Sequence, residues 1–301
     1  MKEISIQIQT ILYNNSHEML KRSLQSIKNA IKIYNDENTS KLIVNVCYGD
    51  ASSERTYDND KILLLYDEFK TDFTLSYRFF NFNSGTALGH NILAENTNTD
   101  YLLLINPDIL FCPRFFAEIL YPFSLDNDIG IVEGRQTPIE HPKEYNLKTG
   151  ETSWASGACS LIPTSLFKTV GGYDAESFFM YCDDVDLSWR VRLLGKKVIY
   201  QPRAVVFHSK QLSTAGMWVP TTAEIYYATE AELFMAQKWL DKKFLETQLK
   251  QFASSGDENQ LKAYNKFVEL KKYNKLPNPM ERANEVASYI GGSYAWHRYA
   301  L

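Results

Sequence analysis

Apolar residues along the first two thirds of the chain fall in short blocks that alternate with longer periodic stretches. Ile4–Leu12 reads as a strand, and from Glu18 to Ile33 the residues Leu20, Leu24, Ile27 and Ile31 recur along one helical face. Lys41–Cys47 is a second strand, Lys61–Tyr66 a candidate third, and Tyr77–Phe82 a short strand running into a polar loop. Asn91–Glu95 suggests a helix, and Tyr101–Ile105 is a fully apolar strand that stops at Asn106-Pro107-Asp108. Phe115–Tyr121 is helical again and Lys197–Phe207 strand-like. Repeated strand–helix alternation predicts an α/β fold whose sheet is mainly parallel and covered on both faces. In such sheets ligands bind beyond the carboxyl ends of the strands, so chemistry is expected just after each strand.

Past Phe207 the pattern changes. Thr221–Phe252 and Asn259–Leu276 are long, charged and periodic, punctuated by Ser254-Ser255-Gly256 and by Pro277 and Pro279. The chain therefore divides into an α/β domain over residues 1–210 and a helical C-terminal region over 211–301, suited to an acceptor lid, a homodimer contact or a membrane contact. A chain of 301 residues accommodates one large domain with a smaller appendage.

Composition narrows the class. With 45% hydrophobic and 23% charged residues the chain can bury an ordinary core. A net charge of −4 without a basic stripe argues against a nucleic-acid partner. The acidic excess lies before residue 209, and the tail is slightly basic, a balance compatible with peripheral contact at an anionic membrane. The N-terminus lacks the pattern of a signal peptide, and no stretch approaches the roughly 18 apolar residues of a spanning helix. The expectation is a cytoplasmic protein, peripheral at most on the inner face of the membrane. Cys47, Cys112, Cys159 and Cys182 are widely spaced and read as reduced, packed thiols.

Four places could carry chemistry. Asp108, exposed past a buried strand on a proline-stiffened corner, could hold a hard divalent cation or cap a following helix. Asn83-Ser-Gly-Thr-Ala-Leu-Gly-His-Asn91 has two glycines four apart, which lets backbone approach a ligand, although it is not the dinucleotide-binding spacing. Asp183, Asp184 and Asp186 crowd three carboxylates beside Phe178-Phe179-Met180-Tyr181. Like charges this close raise one another's proton affinity, as a general base requires, and helical spacing would put Asp183 and Asp186 on one face with Asp184 elsewhere. The alternative is an acidic helix start paired with Arg190 and Arg192. His208 ends a strand as either a metal ligand or a half-buried histidine, and Trp154 could stack on a sugar or belong to the core.

Their order resembles the family 2 inverting glycosyltransferases, in particular bacterial rhamnosyltransferase-like members of cell-surface polysaccharide synthesis. The matching segments are Tyr13-Asn14-Asn15, Gly49-Asp50-Ala51-Ser52, Asn83-x-Gly85-x-x-x-Gly89-x-Asn91, Asn106-Pro107-Asp108, Trp154-x-x-Gly157-Ala158, Gly171-Gly172-Tyr173-Asp174, Asp183-Asp184-Val185-Asp186-Leu187 and His208. They span about residues 4–208. The resemblance implies a GT-A fold, Rossmann-like, with flanking helices, and transfer of a sugar from a nucleotide diphosphate such as dTDP-rhamnose or a UDP-hexose. The acceptor would be a hydroxyl of a glycan or lipid-linked molecule.

By the same resemblance Asp108 and His208 would hold Mn²⁺ or Mg²⁺, with Asn106 at the first position of a degenerate Asp-x-Asp motif. Asp184 would be the general base and Asp183 would occupy the family's glutamate position, with the same charge and a shorter reach. Asn14, Asp50, Asn83, Gly85, Gly89, Asn91 and Asn106 would serve the nucleotide sugar, and Trp154 and Gly157 the acceptor or sugar. Gly49 replaces the first aspartate of the usual Asp-Asn-Ala-Ser segment. A contrasting reading is a nonenzymatic or inactive sugar-nucleotide-binding subunit of a polysaccharide assembly complex.

Overall fold

The computed structural model of the chain describes residues 2–140, 143–210, 212–214 and 219–289. The first strand, β1 (Glu3–Leu12), is followed by α1 (His17–Glu37), which starts where the Ser16 side chain accepts from the Met19 amide. Leu20, Leu24, Ile27 and Ile31 of α1 are buried as their spacing predicts, each contributing about 1.5–3 kcal/mol relative to exposure. Next come β2 (Lys41–Asp50), α2 (Asn59–Phe69), β3 (Thr74–Phe79), α3 (Gly85–Ala94), β4 (Tyr101–Ile105) and the short β5 (Ile109–Phe111). The series continues with α4 (Phe115–Leu125), β6 (Ile129–Thr137), β7 (Cys159–Pro163), α5 (Thr164–Thr169), α6 (Asp183–Leu193) and β8 (Lys197–His208). Three α-helices follow, α7 (Thr222–Lys238), α8 (Lys242–Ala253) and α9 (Glu258–Lys272), and then a single 3-10 turn at Ala283–Glu285.

Eight strands form one sheet in the order β3-β2-β1-β4-β7-β6-β8-β5. The half made of β3, β2, β1 and β4 is parallel throughout, as the alternation predicts. Beyond β4 the sheet is mixed, because β7 runs antiparallel to both neighbours while β8 runs parallel to β6 and antiparallel to β5. A core on one face of the sheet joins α1, β1, β2 and α4, and a smaller cluster joins α3, β4 and α6.

The apolar run at Lys61–Tyr66 is helical instead of extended. Asp58 caps it by accepting from the Lys61 amide at 2.9 Å, and Leu65 and Phe69 are buried while Leu63 and Leu64 are exposed. A short apolar run carries no period of its own, so neighbouring caps decide its conformation. The third strand lies later, and the predicted Tyr77–Phe82 strand begins three residues earlier at Thr74. The Thr221–Phe252 stretch is two helices, broken where Leu240 takes a left-handed φ of 64° and Asp241 accepts from the Phe244 amide.

The C-terminal helices pack on α6 through a second apolar cluster. Trp189 of α6 meets Trp239 edge-on at 5.1 Å, with Phe178, Phe234 and Phe267 around them. Lys238 at the end of α7 reaches Asp186 of α6 at 2.6 Å and Asp174 at 2.7 Å. Residues 290–301 of the predicted helical region lie outside the described residues. Among the described residues no helix is long and apolar enough to cross a membrane.

Candidate active site

Pairing between β5 and β8 brings two distant motifs together. Ile109 is in register with His208, and the Ser209 amide donates to the Asp108 carbonyl at 3.1 Å. Asp108 Oδ1 consequently lies 3.3 Å from His208 Nε2, and Asn106 Nδ2 lies 3.3 Å from the same nitrogen. A strand follows Asp108, so it caps no helix. Behind the imidazole, Gln136 Oε1 lies 2.9 Å from His208 Nδ1. An Nδ1–H donated to that carbonyl leaves the Nε2 lone pair facing the Asp108 carboxylate.

Two electron-pair donors facing each other at 3.3 Å suit a shared cation. Ligands on adjacent corners of an octahedron with bonds of about 2.1 Å stand about 3 Å apart. The described residues contain no cluster of three or more His, Cys, Asp or Glu that could hold a metal. A two-residue site is the pattern of Mg²⁺ and Mn²⁺ when substrate phosphates and water complete the shell.

The pair opens into a cleft of about 440 Å³ at the carboxyl end of β4. Asn106, Asp108, Trp154, Gly157, Asp183, Asp184 and His208 all line it, together with Lys210 and, from the start of α7, Thr221 and Glu224. Seven of the thirteen residues singled out from the sequence thus converge on one space.

The acidic segment enters at the start of α6. Tyr181 and Cys182 just before it hold left-handed φ values of 67° and 57°, a costly conformation for side chains of this size and one that clusters at functional sites. Asp183 accepts from Thr86 Oγ1 at 2.9 Å, and Asp184 accepts from the Gly157 and Val185 amides at 2.8 Å each. Asp183 and Asp184 therefore share the cleft, while Asp186 is fully buried on the opposite side against Arg190 at 2.7 Å and the Trp239 indole N–H at 3.0 Å. The expected pairing of Asp183 with Asp186 on one face does not hold. Asp183 stands at the first helical position, where the left-handed turn turns its side chain toward Thr86. Burial, reinforced by the charge of Asp184, raises the Asp183 carboxyl well above the ordinary range, and burial raises Asp184 as well.

The remaining sequence candidates do not line the cleft. Asp50 is fully buried and accepts from the Ser52 amide and hydroxyl, the Thr56 amide and the Tyr77 hydroxyl. Asn14, also left-handed, donates its amide to Ser52 at 2.9 Å. Asn83 caps the Gly85 amide at 3.2 Å, and Gly85 has a φ of 62° with the Phe179 carbonyl only 2.2 Å from where a Cβ would be. Gly89 leaves room for Ile11 and Ser84. Asn91 clamps Tyr173, accepting from its amide and donating to its carbonyl at 2.8 Å each. Of these, Asn91 supports the cleft wall by holding Tyr173, which lines it. Trp154 is 2% exposed, and one face of its ring carries the Lys143 ammonium at 3.8 Å.

Thr86, Gln136, Glu133 and Lys143 are additions that the chain pattern did not single out. Glu133 and Gln136 are buried in a strand whose first half is apolar, and polar groups there need a partner or a use.

No protein-family model matches the chain. A stretch of 61 residues is 48% identical to N-acetylglucosaminyl-diphospho-decaprenol L-rhamnosyltransferase of Mycobacterium tuberculosis, 20% of each chain, so the match spans about a fifth of that relative. Among solved structures, GalNAc-T7 with UDP, GalNAc and Mn²⁺ superimposes with a TM-score of 0.63 at 14% identity, covering 94% of this chain and 56% of that one. The mannosyltransferase PcManGT of Pyrobaculum calidifontis, in complex with GDP-Man and Mn²⁺, gives 0.55 at 15% identity, covering 95% and 76%. The chain has the α/β fold of the GT-A glycosyltransferases, with a C-terminal set of helices, and is a relative of sugar-transferring enzymes.

Proposed function

We propose that this chain transfers a sugar from a nucleotide diphosphate to a hydroxyl acceptor with inversion at the anomeric carbon. One observation carries the reading: a cation-suited pair, Asp108 and His208, and a carboxylate pair of raised proton affinity, Asp183 and Asp184, line one cleft. Mn²⁺ or Mg²⁺ held by Asp108 and His208 would neutralise charge growing on the diphosphate. Lys210, in the same cleft, presents a second positive group toward an anionic leaving group. Asp184 takes the proton of the acceptor hydroxyl as its oxygen bonds to the anomeric carbon. The bond to the diphosphate breaks on the opposite face, and its electron pair leaves with the nucleotide. Gly157 and Val185 amides hold Asp184 in place for that step, and Thr86 holds Asp183.

The mycobacterial relative, a rhamnosyltransferase whose name carries a diphospho-decaprenol acceptor, favours a rhamnose donor such as dTDP-rhamnose over a UDP-hexose and a lipid-linked acceptor over a free glycan. Thr221 and Glu224, at the start of the first C-terminal helix, line the cleft, which supports a lid over a dimer contact. A lipid-linked acceptor would bring the protein to the inner face of the membrane.

The test uses metal-stripped protein and a panel of dTDP-, UDP- and GDP-sugars with added MnCl₂, read by thermal shift and by nucleotide diphosphate release. A true donor at a hundred times its Kd stabilises the fold by about 2.7 kcal/mol. The expected result is Mn²⁺-dependent stabilisation by one donor with slow release of its diphosphate, both abolished by EDTA. Stabilisation without release from any donor and acceptor would favour the nonenzymatic binding subunit, and full activity after exhaustive chelation would remove the metal role.

A further inference from the structure

Behind the cleft wall lies an ion pair that the chemistry above does not use. Glu133 of β6 and Lys143 are paired with side chains only 2% and 3% exposed. Desolvating two charges costs more than packing apolar residues of the same size, so stability alone does not account for such a pair. Its surroundings indicate what it does. Lys143 stands 3.8 Å over the Trp154 ring, a cation–π contact with an indole that lines the cleft. The backbone of Ser156 favours the ionised Glu133 carboxylate. The Ala155 amide donates to Ser188 Oγ at 3.0 Å, and the Gly157 amide donates to Asp184 at 2.8 Å. Trp154, Ala155 and Gly157 are thus tied down, the first by the buried pair and the last to the proposed base.

We propose that Lys143 and Glu133 are positioning residues that fix the Trp154–Gly157 segment and, through the Gly157 amide, hold Asp184 in place for proton removal. The inference rests on the reading of Asp184 as the base. Asp184 is faced by Asp183 on its own helix, by Tyr173 and Tyr181 from the loop before it, and by Lys143 from behind the Trp154 wall. Lys143 is faced in turn by Glu133 and Glu140. The charge of Lys143 favours the Asp184 carboxylate. Burial opposes both partners' charges, lowering the Lys143 proton affinity and raising that of Glu133, while their mutual attraction works against each shift.

The experiment compares wild type, Lys143→Met and the charge-free double variant Lys143→Met/Glu133→Gln. The double variant leaves no unpaired buried charge, so it decides the matter where the single variant fails to fold. Two readouts are taken: the ¹³C carboxyl titration of aspartate-labelled protein, with Asp184 assigned by its loss in Asp184→Asn, and the pH profile of kcat/KM. In the double variant the Asp184 titration moves to higher pH, and turnover falls about tenfold more at pH 6 than at pH 8, with the donor KM unchanged; tenfold corresponds to one pH unit. A wild-type titration and an unmoved profile in a folded double variant would overturn the proposal. Near-normal turnover by Asp184→Asn would instead remove the base assignment while leaving the carboxyl titration to judge the pair on its own.

Discussion

Replacing Asp184 by asparagine keeps the volume of the side chain and removes its charge and one acceptor. In the native site Oδ2 accepts from the Gly157 amide and Oδ1 from the Val185 amide, both at 2.8 Å. An amide oxygen turned toward Gly157 leaves Nδ2 against the Val185 N–H, an unmet first-turn donor costing about 1–3 kcal/mol. Removal of a carboxylate that burial disfavours acts in the opposite direction, and it lifts the repulsion that raises Asp183. The two effects offset, so stability should remain within about 2 kcal/mol of wild type. Turnover should not. Loss of a general base costs about 10²–10⁴ in rate, or about 3–5.5 kcal/mol of barrier. The assay measures kcat by nucleotide diphosphate release at saturating Mn²⁺ and donor Kd by calorimetry, with Asp183→Asn as the control for its neighbour. The expected outcome is a donor Kd within threefold of wild type and a kcat down at least a hundredfold. Turnover within tenfold of wild type would refute the reasoning, and a loss confined to Asp183→Asn would move the base to that residue.

Two further outcomes follow from the buried charges. Asp183 is raised to about 7 by burial and by the charge of Asp184, so between the ordinary carboxylate range and about pH 7 the folded protein binds more protons than the unfolded chain. Its contribution to stability is therefore present at low pH and lost as pH rises through that window, with a slope of up to about 1.4 kcal/mol per pH unit. Urea midpoints from pH 4.5 to 7.5 should fall less steeply in Asp183→Asn than in wild type, and parallel curves would contradict the assignment. Lys238→Met strips Asp174 of its 2.7 Å partner and leaves Asp186 with Arg190 and the Trp239 indole alone. Because Arg190 remains, the cost should fall at about 2–4 kcal/mol, at or below that of a fully broken buried pair. Urea unfolding measures it, and a change under 1 kcal/mol would mean that the network carries little of the docking energy.

The parallel half of the sheet was legible where apolar residues ran or alternated up to a turn, most clearly at Tyr101–Ile105, which stops at Asn106-Pro107. The antiparallel strand β7 left no such trace, since its five residues follow a loop and precede a helix with no block of their own. Asn106, Asp108 and His208 were legible as ends of strands. Their meeting was not, because it depends on a register between residues a hundred apart in sequence. Asn83, Gly85, Gly89 and Asn91 stood out by type and spacing, yet Gly85 lets Phe179 approach, Gly89 lets Ile11 and Ser84 approach, and Asn91 holds Tyr173. Spacing reports that backbone must come close to something; it does not report whether that partner is a ligand or the protein itself. Lys143 was hidden for the opposite reason, since nothing in its local sequence distinguishes a lysine bound for the interior from one on the surface.

The C-terminal helices bear on the chemistry through α6. Asp183 and Asp184 occupy the amino end of that helix, where the dipole favours negative charge, yet both are raised because burial outweighs it. Holding two acids in that state, after two residues in left-handed conformations, requires the helix to be fixed by contacts away from the cleft. On the face turned from the acids Trp189 meets Trp239, and Asp186 gathers Arg190, Lys238 and the Trp239 indole. Residues 238 and 239 end α7, the same helix whose first turn carries Glu224 to the cleft edge. One helix thus braces the acids at its end and borders their cleft at its start. A ligand that displaces the start of α7 would be felt at α6 through a rigid body of 17 residues.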